Sequence, residues 1–522
     1  MRPLIVCLYQ GFSIIMLNQP RFYLALLILA LSQLVGCAGT IDPARYDKQA
    51  SYHLGYVEGS TLDRYLDIPL AQRQSQTGFV PLNLGHDALL ARIALIEAAQ
   101  HSIDLQYYIY RDDEASQLLT WRLYEAAERG VRVRVLLDDM QSRNDDDLAL
   151  FSRHPNIEVR LFNPHQYRNA RSLALISDFD RLNRRMHNKS LSVDGAASII
   201  GGRNIGNEYF SVSANVEFGD LDLLLVGNTV DQIGDQFDLY WNDDYTIPIE
   251  WLNDQQQTIT NEQVTEWNEE AKLEQKFSGG KYDFAKLPIY HQFVEGSLNF
   301  YWGDGKVLYD LPTKISDQQS DLTDSIVELL KQAEHSLLII SPYFVPTESG
   351  TQQMVDAIKA NKRIIVVTNS LASNDVFAVH GWYAKYRQTL VEGGVELWEI
   401  KADAKITKKW SITGSSRSSL HAKAFVIDEK DLFVGSMNWD PRSAVLNTEM
   451  GVVIHHPEYS SKIWQEMPEL LRRAAYEIKV EDGDIVWLDH QSGQVFTSEP
   501  GAGIFRRIGA WFSGVLPIED HL

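Results

Sequence analysis

One string of residues occurs twice at a fixed separation, and that duplication limits what the chain can fold into. The first copy reads His187-Asn-Lys189, then Asp194, then Gly201-Gly-Arg-Asn204; the second reads His421-Ala-Lys423, then Asp428, then Gly435-Ser-Met-Asn438. Every paired position lies 234 residues from its counterpart. A lone His and Lys two apart on a strand is commonplace, whereas two full H-x-K-x4-D-x6-G-[GS]-x-N strings at one offset are not chance. The offset extends upstream, where His101-Ser102 matches His335-Ser336. Helical apolar patterns precede both, Ile93, Leu95, Ile96 and Ala99 in one copy and Val327, Leu329, Leu330 and Ala333 in the other. Ile157-Glu158 resembles Val395-Glu396 at 238 residues, so about four residues were inserted and later lost. A repeat this long means two domains rather than a solenoid, each supplying half of an active site.

The pattern between repeats is α/β. Asp87 is placed to cap a helix running to about Gln100, Ser102–Tyr110 is β-rich, a helix follows through Glu128 to Gly130, and Val131–Leu137 alternates as a strand. The second half repeats this with a strand at Ser336–Ile340, a helix at Thr351–Ala360 and a strand at Arg363–Thr368. Alternating strands and helices predict a mixed, largely parallel sheet flanked by helices in each half. The boundaries expected are a first domain over 81–250, a Gln-, Asn- and Glu-rich linker over 251–290, a second domain over 291–476 and a C-terminal extension over 477–522.

The N-terminus reads as a targeting segment. The apolar run Phe22–Val35 is too short to favour a spanning helix and ends in Leu34-Val35-Gly36-Cys37, the form of a bacterial lipobox. Residues 1–36 are then a lipoprotein signal peptide, Cys37 the lipidated residue, and 37–80 a tether leading into the fold. Met16 is a more ordinary start for such a signal than Met1. Ala38 after the cysteine favours the outer membrane by the Gram-negative sorting pattern, with the protein at the periplasmic face of the envelope. Cys7 and Cys37 are the only cysteines and both precede the folded part, so the body has no disulfide and no thiolate metal site. No metal or other cofactor is expected. With 48 Lys and Arg against 70 Asp and Glu, the net charge of −22 argues against a general nucleic-acid binder.

A histidine beside a lysine suits a buried strand when an anion sits between them, and a phosphate satisfies both. On a strand over Leu420–Ile427, His421 and Lys423 share one face. Asp194 and Asp428 fall seven residues after their histidines, an odd offset that turns them away and suggests a turn role. Better imidazole partners are Glu449 for His421 and Asp220 for His187, since each opens the next apolar strand of its own half.

On these motifs the chain resembles the phospholipase D superfamily over nearly its whole mature length. The resemblance implies two pseudo-symmetric phospholipase D-like domains with the active site at their interface. It makes His187, Lys189, Asp194, His421, Lys423 and Asp428 the catalytic set, one histidine attacking phosphorus and the other serving as acid, then base. By resemblance His187 is the nucleophile more often, while pseudo-symmetry leaves the roles open. Lys189, Lys423, Asn204 and Asn438 would hold the non-bridging oxygens. Longer strings, Asp178–Ser190, Gly201–Gly206, Ser341–Thr347, Thr368–Asp375 and Asp440–Glu449, look like bacterial cardiolipin synthases, particularly the C-type. That implies phospholipid substrates at a membrane: phosphatidyl transfer onto phosphatidylglycerol from phosphatidylethanolamine or phosphatidylglycerol. Water as acceptor would make the chain a phospholipase releasing phosphatidic acid, and an endonuclease or an inactive scaffold are more distant rivals. Protein partners are not legible. The acyl groove should lie between the halves. His380 and Tyr343 read as packing near the cleft. Ile504–Leu516 is amphipathic, and either a membrane-interfacial helix or a helix docked on its own domain fits it.

Overall fold

The computed structural model describes residues 48–66, 70–141, 145–165, 178–211, 217–252, 288–402 and 418–516, with a few isolated residues besides. Residues 1–36, Cys37 and most of the 251–290 linker lie outside the described residues. Residues 165–183 belong to a small separate unit, in which the short helix Phe179–Leu182 is tied by an Arg181–Asp178 ion pair. The rest is the main body, residues 48–164 and 184–522.

The first half contributes strands β1 (Thr77–Leu82), β2 (Ser102–Tyr107), β3 (Arg132–Asp138), β4 (Ile157–Phe162), β5 (Ser190–Val193), β6 (Ala197–Gly201), β7 (Glu217–Gly219), β8 (Asp222–Gly227) and β9 (Thr246–Pro248). The second contributes β10 (Tyr301–Tyr309), β11 (Ser336–Ile340), β12 (Arg363–Asn369), β13 (Glu396–Ile400), β14 (Ser418–Leu420), β15 (Ala424–Ile427), β16 (Asp431–Gly435), β17 (Met450–His455), β18 (Ala475–Glu481), β19 (Asp484–Asp489) and β20 (Gln494–Phe496). The longer helices are α1 (Gly85–Ala98), α2 (Glu114–Glu128), α3 (Asn228–Trp241), α4 (Asp321–Gln332), α5 (Thr347–Lys359), α6 (Phe377–Glu392), α7 (Pro457–Ala474) and α8 (Ile504–Val515).

The pairings order the first half β9-β4-β3-β2-β5-β6-β8-β1 and the second β10-β17-β16-β15-β11-β12-β13-β18. In each half three strands run parallel and the strands toward the middle run antiparallel. Antiparallel pairing of β1 with β10, Thr77 opposite Gly303, joins the halves into one sheet with a pseudo-two-fold axis at that seam. A shared core reinforces the seam, where Phe79, Leu223 and Leu225 pack with Val307, Leu420, Val434 and Val452. Each such buried side chain contributes roughly 1.5–3 kcal/mol by leaving water, so neither half presents a finished surface without the other.

Two boundaries differ from the sequence reading. The second sheet continues past Tyr476, because β18 pairs with the outer edge of β13 just as β9 pairs with β4; an open strand edge takes a partner. Helix α1 starts at Gly85 with Leu84 at the cap position, and Asp87 lies inside the first turn without capping.

The motif aspartates are turn devices. Asp194 and Asp428 both have positive φ, 52° and 51°, after β5 and β15. Asp194 accepts from the backbone N–H groups of Gln100, His101 and Ser102 at 2.8–2.9 Å. Asp428 does the same for Glu334, His335 and Ser336 at 2.7–2.9 Å. Each clamps the end of one strand to the start of its neighbour. Replacing Asp194 with alanine removes the acceptor of three donors, of which Ser102 N–H is buried, and is expected to destabilise the fold by roughly 1–3 kcal/mol. A thermal-unfolding midpoint unchanged from wild type would contradict this.

Candidate active site

The HxK residues lie just outside the strands expected to carry them. His187 and Lys189 precede β5, and His421 to Lys423 fill the break between β14 and β15. At that break each motif is hydrogen-bonded to the opposite half. His187 N–H donates to Thr448 O at 2.8 Å, Thr448 N–H donates to Arg185 O at 2.9 Å, and Met186 bridges Thr448 in parallel. In the mirror arrangement β14 pairs in parallel with β7, and the N–H groups of His421 and Ala422 donate to Gly219 O at 2.7 and 3.1 Å.

This backbone crossing corrects the pairing of histidines with carboxylates. His187 Nδ1 lies 2.8 Å from Glu449 Oε2, and His421 Nδ1 lies 2.6 Å from Asp220 Oδ2. The sequence reading had paired each histidine within its own half; instead each carboxylate sits one residue after the backbone group that grips the other half's histidine segment. With Nδ1 of each ring facing a carboxylate, Nε2 is the ring nitrogen left for chemistry, and in His421 it lies 3.2 Å from Lys423 Nζ. Both histidines are only 7 % exposed.

The two pairs are not electrically equivalent. Burial, with the charges of Lys189, Lys423, His421 and Arg442, holds His187 well below the usual imidazole range. Burial pushes its partner Glu449 up to about 7 against the pull of Lys189 and the Ser436 hydroxyl, which donates to it at 2.5 Å. Burial would raise Asp220 too, but His421, Lys423 and Arg203 outweigh it and hold that carboxyl at about 2. Burial and Lys423 lower His421, with Asp220 opposing them. Burial also lowers the motif lysines, Lys189 to about 7 and Lys423 to about 8. A bound anion would restore both charges, which is the behaviour of a phosphate cradle.

Lys189 Nζ donates to His187 O at 2.6 Å, and Lys423 Nζ lies 3.0 and 3.2 Å from the ring nitrogens of His421. The two asparagines differ. Asn204 accepts from Ile109 N–H and donates to the Tyr209 hydroxyl, both at 3.1 Å, whereas Asn438 Oδ1 is buried with no hydrogen-bond partner. Asp194 and Asp428 are remote from the imidazoles, held by the strand-clamping bonds above.

Two tyrosines complete the rings' surroundings without having been legible. Tyr108 meets His187 edge-on at 4.8 Å between centroids, and Tyr209 meets His421 at 5.3 Å. Both come from the first half, so no repeat flags them; the position 234 after Tyr209 is Ser443. Tyr343, read as packing, donates to Asp375 at 2.8 Å, and the Asp375 carboxylate acts on His421 and Lys423 electrostatically. Among the described residues one trio, His380, Glu399 and Glu499, has ligand atoms close enough for a metal. Arg387 already supplies its cation, 2.9 Å from His380 Nε2 and 3.0 and 3.1 Å from the two glutamates.

The family model described as "Cardiolipin synthase, PLD-like domain" matches the chain twice, over residues 93–241 and 326–471. Cardiolipin synthase C of Escherichia coli (strain K12) is 38 % identical over 466 residues, 87 % of this chain and 98 % of that protein. The major cardiolipin synthase of Bacillus subtilis (strain 168) is 25 % identical over 75 % of this chain and 69 % of its own length. The crystal structure of phosphatidylserine synthase from Haemophilus influenzae superposes with a TM-score of 0.57 at 14 % identity, covering 89 % of this chain and all of that one, a likeness of fold.

Proposed function

Because this chain belongs to the cardiolipin synthase family with phospholipase D-like domains, we propose that it is a phosphatidyltransferase that makes cardiolipin. The donor in this reading is phosphatidylethanolamine or phosphatidylglycerol, and the acceptor is the free glycerol hydroxyl of phosphatidylglycerol. The observation that carries it is the pair of cross-braced imidazoles, His187 on Glu449 and His421 on Asp220, with a lysine beside each.

The donor phosphodiester would lie between the two Nε2 atoms. His187 Nε2 attacks phosphorus, forming a P–N bond as the bond to the headgroup oxygen breaks. His421 Nε2 gives its proton to that leaving alcohol. The acceptor hydroxyl then loses its proton to His421 and attacks the phosphohistidine, releasing His187 and closing the cycle. Lys189 and Lys423 offset charge on the non-bridging oxygens, and the Asn438 Nδ2 amide would donate beside them in this reading.

The electrostatics support His187 as nucleophile. A ring held well below the usual imidazole range keeps its lone pair at neutral pH. The firmly ionised Asp220 is the better partner for a ring that must carry a proton, which favours His421 as the acid. The test is a mass-spectrometric product assay on purified protein in mixed micelles, with phosphatidylglycerol supplied with and without phosphatidylethanolamine. Cardiolipin is the expected product, and its dependence on phosphatidylethanolamine would name the donor. Phosphatidic acid without cardiolipin would make water the acceptor and overturn the synthase reading.

A further inference from the structure

We propose that the outer face of α8 is a bilayer-docking surface that seats the active-site mouth against phospholipid headgroups; this rests on the phospholipid-substrate reading above. The helix is amphipathic in an uncommon sense, with small residues turned inward and large apolar ones outward. Its buried positions are Ala510, Ser513 and Gly514. They press so closely on α6 that a Cβ at Gly381 would lie 2.0 Å from Ala510 O, and one at Gly514 would lie 2.7 Å from Gly381 O. That contact sets the rotation of the helix about its axis. Ile504, Phe505, Ile508, Trp511, Phe512 and Val515 are consequently left facing outward, with Phe505 87 % and Trp511 70 % exposed. Phe377 and Val376, also exposed, extend the patch, the Phe377 ring lying beside Gly509.

A soluble surface does not ordinarily gather this many large apolar side chains in one place. Three observations favour a bilayer as the occupant. Aromatic residues mixed with aliphatic ones on the exposed face suit the depth of headgroups. The patch also adjoins the catalytic wall. Arg506 Nε donates to Leu371 O at 2.7 Å. Two residues earlier, the Asn369 side chain holds both the N–H and C=O of Leu420, at 2.9 and 2.8 Å, immediately before His421. Finally, the reaction requires a lipid headgroup to enter the cleft, so an apolar surface beside the mouth belongs against the sheet of lipid that supplies it.

The experiment uses the full chain with phosphatidylglycerol–phosphatidylethanolamine vesicles carrying brominated acyl chains, which quench tryptophan on contact. The wild type should be quenched more strongly than Trp511→Phe, a difference that reports this helix whatever other anchor the chain has; equal quenching overturns the proposal. In a second arm, Phe505→Ser/Phe512→Ser should lose roughly tenfold or more in turnover of vesicle lipid, since two large apolar groups leave the interface. Its turnover of monomeric dihexanoyl phosphatidylglycerol should match the wild type. An equal fall on both substrates would mean a structural role, and a wild-type dimer that the double variant dissolves would mean a second copy covers this face; either overturns the proposal. A wild type without transfer activity defeats the proposed reaction instead, and the quenching arm still decides whether the helix docks.

Discussion

Replacing His187 with alanine is expected to remove phosphatidyl transfer, a fall of at least ~10⁴-fold in kcat, because His187 Nε2 is the atom that forms the covalent intermediate in the proposed reaction. His421→Ala should fall comparably with natural phospholipid, for a different reason: the leaving alkoxide has no proton donor and the acceptor no base. The two variants separate on a donor whose headgroup is p-nitrophenol, which departs without protonation. His421→Ala should then release a stoichiometric burst of p-nitrophenolate and accumulate a phosphatidyl group on His187, readable by intact-protein mass spectrometry. His187→Ala should do neither. A burst and adduct in His187→Ala, with none in His421→Ala, would exchange the two roles.

The second large effect tests the crossing of the carboxylates. Asp220→Asn leaves the shape of the site but removes the charge that supports a protonated His421, and a loss of roughly 10²–10⁴-fold is expected with phospholipid donors. Most of that loss should disappear with the p-nitrophenyl donor. Glu449→Gln acts on His187 and should slow formation of the phosphohistidine from either donor. The discriminating quantity is the ratio of rates on the two donors. Pairing within each half, with Asp220 serving His187, would give the opposite pattern: the activated donor would rescue Glu449→Gln and not Asp220→Asn.

That crossing shows where the sequence stopped being informative. Asp220 and Glu449 could be picked out because each is a carboxylate opening an apolar strand after its motif. Nothing local says which imidazole each would meet, and the sequence reading placed each with the one in its own half. The answer lies in contacts between residues more than 200 apart, the parallel bridge of Met186 with Thr448 and the pairing of β14 with β7. Tyr108 and Tyr209 escaped notice for a related reason, since both come from one half and symmetry was the guide. For the motif aspartates, strand alternation pointed to a turn role by sending an odd offset to the other face, whereas the resemblance had set Asp194 and Asp428 among the catalytic residues; their strand-clamping bonds agree with the first.

The sequence by itself determined the duplication, the α/β alternation, the two HxK pairs and the amphipathic C-terminal segment, because each is written in local periodicity or in a repeated string. Only the tertiary structure decided how the copies share one site. Strand pairing, β1 with β10, sets one half against the other, and the backbone crossings then hand each histidine to its neighbour's carboxylate. It alone also decided how α8 sits, since amphipathicity has no preferred outside until Gly381, Ala510 and Gly514 allow two helices to touch. Periodicity is a property of neighbouring residues, whereas the protonation of an imidazole and the exposure of a helix face depend on groups that only folding brings together.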